Sequence, residues 1–409
     1  MFNYIRRIKP QYAGRLLAVS TLMAAAISGV AKADPIQTVF VIAMENHNWT
    51  QPATQSSPAQ IFGNPAAPYI NSLVTPGNAN AAQVSFATNY LNVGTGIHPS
   101  EPSYIWAEAG SNLGVLNDNQ PYGTGGTNQT TTAHLSTNLT AAGVTWRSYQ
   151  EDTNINYANN QPLSPGQYTV PLTNQSGTFA SGVNQYNGSN QYNYAAKHNP
   201  QVFFSDTNGG NDATTSNPAA KNYAPLQQLT ADLASNSVAQ YNWITPNQYN
   251  DMHSALTGGY TYNGTHYTGD LAAIAQGDNF LSMIVPRIMA SQAYQNNGAI
   301  VLWWDESEGG DDPSRTVPEI IISPLAKGNA YSNSILYTHS SDLLTVQEIF
   351  GAGPCLRDAC NASDLADLFV PGAVPNTTQA TTATPEPGTV AMFSLGLALV
   401  VAAKLRARA

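Results

Sequence analysis

Four residues that can bind a cation stand in two pairs far apart in the chain, Glu45-Asn46 and Asp305-Glu306. Each pair follows a short apolar run, TVFVIAM at residues 38–44 and AIVLWW at residues 299–304. Runs dense in Val, Ile and aromatic residues read as strands buried on both faces. Open α/β sheets place their chemistry just beyond the carboxyl ends of such strands. If the two strands are neighbours, three carboxylates and one amide converge without a nearby Lys or Arg, and they repel one another unless a cation lies between them. The expectation is therefore a divalent metal site. Its hard oxygen donors favour Mg, Ca, Mn or Fe, and Zn becomes admissible if His253 or His339 joins.

A second segment, Gly94-Thr95-Gly96-Ile97-His98-Pro99-Ser100, leads into a stretch at 104–109 that can be helical. This puts Ser100 at or near a helix N-terminus, where backbone N–H groups attract anions. A serine so placed can be a simple N-cap. Beside a cation bound at Glu45 and Asp305 it becomes a further ligand, and its hydroxyl an activated nucleophile.

The elements that must position these residues are read from periodicity. Further strands are expected at 143–149, 201–204, 241–245 and 319–323. One helix is expected from an N-cap at Asp278 through Phe280, Leu281, Ile284, Ile288 and Met289, with a bend at Pro286. Another is expected from Ser340 or Ser341 to Phe350, stopping at Gly351. Strands alternating with helices predict an α/β fold with a mostly parallel central sheet flanked by helices. Two stretches rich in Asn, Gln, Gly, Thr and Tyr, 117–132 and 154–193, read as long surface excursions that shape a pocket or merely face solvent.

Both ends of the 409-residue chain carry addresses. A basic start, an apolar stretch at 16–30 and Ala31-Lys32-Ala33 make residues 1–33 a secretory signal peptide. At the other end, Pro385-Glu386-Pro387-Gly388, an apolar stretch at 389–403 and the bases Lys404, Arg406 and Arg408 resemble the PEP-CTERM sorting signal of Gram-negative bacteria. That resemblance implies processing by a membrane sorting machinery and delivery to the cell surface or outside the cell. The expected division is signal peptide 1–33, catalytic domain 34–365, linker 366–384 and sorting segment 385–409.

Eight of the fifteen bases lie in those terminal segments and, of the twenty-five acids, only Glu386 does. The remaining body sets twenty-four acids against seven bases, which argues against nucleic acid as a partner because that requires a basic stripe. The two cysteines, Cys355 and Cys360, are expected to close a small disulfide loop of modest entropic effect.

Six ordered segments resemble the motifs of the bacterial phosphoesterase family: Ala43-Met44-Glu45-Asn46-His47, His98-Pro99-Ser100-Glu101-Pro102-Ser103-Tyr104, Ile244-Thr245-Pro246-Asn247, Asn250-Asp251-Met252-His253, Trp304-Asp305-Glu306-Ser307 and Thr338-His339-Ser340. The family includes acid phosphatases and phospholipases C and is similar in fold to the alkaline phosphatase superfamily. The resemblance implies that Glu45, Asn46, Asp305 and Glu306 are metal ligands together with Ser100, which is also the nucleophile. It implies that Asp251 and Ser103 lie around the phosphate, with His253 and His339 contacting phosphate or protonating the leaving group. His98 beside the nucleophile is expected to orient the loop at the substrate. His47, His134, His198 and His266 are expected to be non-catalytic. Departures from the family pattern are His47, Trp49, Ser103 and Glu306, the last of which bears on the metal's identity.

Each candidate has a plainer rival. Glu45 can cap a helix, His253 can be a solvated loop residue, and His339 can be a turn residue. Glu306, Glu308, Asp311 and Asp312 around Gly309-Gly310 can form a calcium loop. The function expected is a secreted metal-dependent phosphomonoesterase of acid phosphatase type. The alternatives are a phospholipase C, or a non-catalytic surface or matrix protein suited to its polar composition.

Overall fold

The computed structural model describes residues 34–156, 161–164, 167–180 and 182–375. The expected signal peptide, the sorting segment and residues 376–384 lie outside the described residues.

The core is a twisted sheet of eight strands: β1 Thr38–Met44, β2 Val84–Ala87, β3 Trp146–Gln150, β4 Tyr223–Pro225, β5 Tyr241–Thr245, β6 Gly298–Trp304, β7 Glu319–Ile322 and β8 Tyr331–Asn333. Their order across the sheet is β8-β2-β7-β6-β1-β5-β3-β4. In this sheet β7 alone is antiparallel to its neighbours, so the mostly parallel sheet is borne out. The two strands that end in the acidic pairs, β1 and β6, lie at its centre. Every residue of β1 and β6 is buried, as the unbroken apolar runs require of strands covered on both faces.

Among the described residues, six helices of more than one turn accompany the sheet: α1 Pro68–Leu73, α2 Ser100–Ala109, α3 Leu135–Ala141, α4 Leu226–Ala234, α5 Asp270–Met289 and α6 His339–Phe350. Side chains alternate between the faces of a strand. Val39, Val41, Val301 and Trp303 face a small apolar cavity closed by Ala107 of α2, Leu135 of α3 and Val346 of α6. The opposite face, which carries Met44, meets α5 closely enough that a Cβ at Gly277 would lie 2.3 Å from Met252 Cγ and 3.0 Å from Met44 Cε. Glycine at 277 is what lets this helix sit tight beneath the loops that follow β1 and β5.

Several local expectations are corrected. The segment expected as a strand at 201–204 forms a 3₁₀ turn, Pro200–Phe203, because Pro200 fixes φ and offers no N–H to a ladder. Asp278 does not begin a helix. It lies in the middle of α5, which starts at Asp270 because Ala272, Ala273 and Ile274 already belong to the buried face. Its carboxylate instead accepts the backbone N–H groups of Tyr69 at 2.9 Å and Ile70 at 2.8 Å, capping α1 from across the interface. Thr338, rather than Ser340 or Ser341, caps α6, with Ser341 completing a capping box. That helix does stop at Gly351, in the left-handed conformation (φ 60°).

The packed body runs past the linker start expected at 366. Leu368, Phe369, Ala373 and Val374 are buried, and Ala373 O accepts the N–H of Ile36 at 3.0 Å. The Pro and Ala content of this stretch hid its four apolar anchors. Cys355 and Cys360 are joined as expected.

Candidate active site

The pairing of β1 with β6 runs in register from Thr38↔Gly298 to Met44↔Trp304, so Glu45 and Asp305 leave the sheet at the same level. The alternation that points Val41, Ala43, Val301 and Trp303 toward α2 continues into both acids. Asn46 turns back with φ 46°, a left-handed conformation that Asn tolerates, and its N–H donates to Asp305 Oδ1 at 3.1 Å.

Helix α2 delivers Ser100 to this corner as its first residue. The Ser100 hydroxyl lies 3.0 Å from Glu45 Oε2, 3.3 Å from Glu306 Oε1 and 3.5 Å from Asn46 Oδ1. One hydroxyl proton thus faces three acceptors, while Asp305 Oδ2 is buried with no hydrogen-bond partner at all. Burial, with Asp305 and Asp251 adding to it, pushes the Glu45 carboxyl well above its ordinary range. Burial and then Glu306 do the same to Asp305. No three His, Cys, Asp or Glu side chains among the described residues are arranged to hold a metal ion unaided. The set around Ser100 differs in that an amide and a hydroxyl complete it. An excess of converging hard oxygens, some of them orphaned, is the donor chemistry that suits a divalent cation.

A second tier holds the first. The Tyr104 hydroxyl, one turn along α2, donates to Glu45 Oε1 at 2.6 Å. The His198 ring stacks on Tyr104 with centroids 5.1 Å apart, and places Nε2 3.1 Å from Glu45 Oε1 and Nδ1 3.2 Å from Asp251 Oδ2. Neither approach is well aligned for a hydrogen bond, since His198 Nε2 and Asp251 Oδ2 both remain unpartnered. Burial, and then Lys197, hold the His198 ring well below its ordinary pKa, so it is neutral. Asp251 O accepts the Glu45 N–H at 2.8 Å, which ties the loop after β5 to the loop after β1. Met252, next in that loop, sits at φ 84°, an unusual conformation for a long side chain.

The remaining candidates separate. His98 bonds Glu306 through Nδ1 and Asp311 through Nε2 (2.8 Å), and the bond to Glu306 is the main cause lifting its pKa to about 9. It steadies the Glu306 carboxylate that faces Ser100. Asp251, expected near the phosphate, is wholly buried behind His198. Ser103 is buried one turn along α2, and no hydrogen bond joins its hydroxyl to the cluster. His339, expected to contact phosphate or protonate the leaving group, is fully buried. Its Nε2 lies 2.9 Å from Trp304 O, and its ring packs on Trp303 at 4.6 Å. It braces the end of β6 from beneath because, as the first residue of α6, it points into the core. His253 is partly exposed beside His198, with ring centroids 5.8 Å apart, and burial lowers its pKa to about 4.

The calcium-loop alternative is not supported by the side-chain directions. Asp311 turns to His98, Asn92 and Gly96, and Asp312 turns to Ser314 and Arg315.

Sequence reasoning missed Tyr104, His198 and Lys197. Tyr104 closes the segment His98–Tyr104, where its type signals only a helical position. The pair Lys197-His198 precedes Asn199-Pro200, and its one signal is a basic residue beside a histidine in a base-poor body.

Residues 43–353 match the family model described as Phosphoesterase family. The chain belongs to the phosphoesterase family. This phosphoesterase is 26% identical over 314 residues to a phosphatidylinositol-3-phosphatase of Mycobacterium tuberculosis, covering 76% of this chain and 79% of that protein. It is 25% identical to a phosphate-repressible acid phosphatase of Penicillium chrysogenum, covering 68% of this chain and 54% of the fungal protein, and so spans about half of that relative. Among solved structures it is similar to a protein in the alkaline phosphatase superfamily from Vibrio parahaemolyticus, at 10% identity and a TM-score of 0.42, covering 82% of this chain and 72% of that one. The phosphoesterase is a phosphate-ester hydrolase.

Proposed function

We propose that this phosphoesterase is an exported, metal-dependent phosphomonoesterase that works through a phosphoserine at Ser100. The observation that carries the reading is the single hydroxyl of Ser100 facing Glu45, Asn46 and Glu306 at once, with Asp305 Oδ2 orphaned beside it. Glu45, Asn46, Ser100, Asp305 and Glu306 would hold a divalent cation, which when bound neutralises phosphate charge and lowers the pKa of the serine hydroxyl.

In the first step Ser100 Oγ attacks phosphorus, the bond to the leaving oxygen breaks with its electron pair, and the proton lost by the serine hydroxyl ends on the departing alcohol. In the second, water attacks phosphorus, and Ser100 Oγ leaves and recovers a proton as phosphate is released. The amino end of α2 favours the negative charge that passes through both steps. His253, neutral above about pH 4, is suited to accept a hydrogen bond from the attacking water and orient it, since burial opposes the charged ring that either taking or giving a proton would require.

The matched relatives are named as phosphatases, which favours monoester substrates over phospholipase C cleavage. Export and surface sorting rest on the two terminal segments of the sequence.

Ser100→Ala tests the nucleophile. It is expected to abolish hydrolysis of p-nitrophenyl phosphate while circular dichroism and Tm stay those of the parent; full activity in that variant would overturn the assignment. Comparing small monoesters with phosphatidylcholine separates the monoesterase from the phospholipase C.

A further inference from the structure

Of the seven bases in the acidic body, one is placed against the active site. Lys197 precedes His198 in a short 3₁₀ turn, Ala196–His198, and its side chain is only 12% exposed. Its Nζ lies 2.9 Å from Asp118 Oδ2, and Asp118 Oδ1 accepts the backbone N–H of Glu101 at 3.1 Å. Two hydrogen bonds therefore connect the ammonium group to the peptide that follows Ser100. It also interacts electrostatically with Glu45 and Asp305. Other bases are engaged far from this corner: Arg147 with Asp232 at the sheet edge, Lys327 with Asp367, and Arg357 with Ala109 O and Ala133 O.

We propose that Lys197, held at the start of α2 by Asp118, is a specificity residue that recognises the second negative charge of a phosphate monoester and so selects monoesters over diesters. The inference deepens the phosphomonoesterase reading and rests on it. A monoester is a dianion above its second pKa of about 6, whereas a diester carries a single charge. A cation held in a partly buried place, with its partner fixed, discriminates between them because the interaction is less screened there than in bulk water. Asp118 is a half-open anchor with a side chain 31% exposed. It keeps the long lysine stem in one place.

The test compares kcat/KM for p-nitrophenyl phosphate and bis(p-nitrophenyl) phosphate in the metal-supplemented full-length enzyme and its variants. Lys197→Gln is expected to lower the monoester value by about 10- to 100-fold and the diester value by less than about threefold, a change of roughly one to two decades for one lost partner charge. Lys197→Arg should keep the parent's ratio. Because Lys197→Gln strands Asp118, the double variant Lys197→Gln/Asp118→Asn removes both charges together and should show the same loss of ratio with the parent's Tm.

An equal fall for both substrates, or an unchanged ratio in both variants, would overturn the proposal. Binding of inorganic phosphate by calorimetry gives an independent reading, since Lys197→Gln should weaken it and unaltered affinity counts against the lysine. If the parent enzyme hydrolysed no monoester, the functional reading would fail while this binding measurement still judged Lys197.

Discussion

The Tyr104 hydroxyl donates to Glu45 Oε1 at 2.6 Å, and both side chains are completely buried. This bond fixes which oxygen of the carboxylate is left for Ser100. Tyr104→Phe leaves Glu45 Oε1 short of a donor without changing volume, and the cost expected for an unsatisfied buried group is about 1–3 kcal/mol. Thermal denaturation should register that loss. Steady-state kinetics should show kcat falling by about tenfold with KM little altered, since such a bond acts on the geometry of attack rather than on substrate capture. Unchanged kcat would mean that Glu45 is oriented by His198 and Asp251 without the tyrosine.

The convergence of Glu45, Asn46 and Glu306 on one hydroxyl, with the Asp305 carboxylate beside it, leads to an expectation about the cation. Elemental analysis of the purified body should find a stoichiometric divalent metal. Chelation should remove both activity and several degrees of Tm, and one metal of a series should restore both. Asp305→Asn should lose the metal, because it removes the carboxylate with an orphaned oxygen. Full turnover after exhaustive chelation would refute metal dependence.

A buried acid pair away from the site sets a pH dependence of stability. Glu319 of β7 and Asp342 of α6 interact inside the core, where the Tyr90 hydroxyl donates to Asp342 Oδ2. Burial raises Asp342 to about 7 and, with Asp342, raises Glu319 well above its usual range. An acid whose folded pKa lies above its unfolded value binds its proton more tightly when folded. The stability it confers is complete below about pH 4 and is lost as pH rises through the folded pKa. Chemical unfolding between pH 4.5 and 7.5 should therefore show stability declining with pH. The decline should be shallower in Asp342→Asn, by up to about 1.4 kcal/mol per pH unit within that window. Parallel curves for parent and variant would show that the pair does not titrate there.

The central strands were legible because they are apolar throughout, and the acids that end them could be read as partners only on the assumption that the strands pair. The register Met44↔Trp304 supplies that assumption. Ser100 was legible from its glycines and its place before a helical run. His198 and Lys197 were not, since a 3₁₀ turn leaves no periodic trace and a buried histidine looks the same in sequence whether it braces a carboxylate or fills a core.

The Asn-rich stretch at 154–193 left two roles open in sequence, a loop that shapes a pocket and one that only faces solvent. Asn184 bonds the buried Glu151 at 2.6 Å, the Asn193 N–H bonds the neighbouring Asp152 at 2.9 Å, and Asn187 bonds Asn250 at 2.9 Å, next to Asp251. Composition does not separate the two, because which of these amides turn inward to the acids at the end of β3 is set by tertiary contact. His339 is a motif residue whose helix turns it into the core.

The Asn46 to Asp305 bond spans 259 residues of sequence. Loop closure on that scale happens late, after the intervening strands and helices have found their places. Hydrolytic competence should consequently appear as a single late event during refolding, with nascent or clipped chains silent. A chromogenic ester would then serve as a clock for completion of the whole sheet.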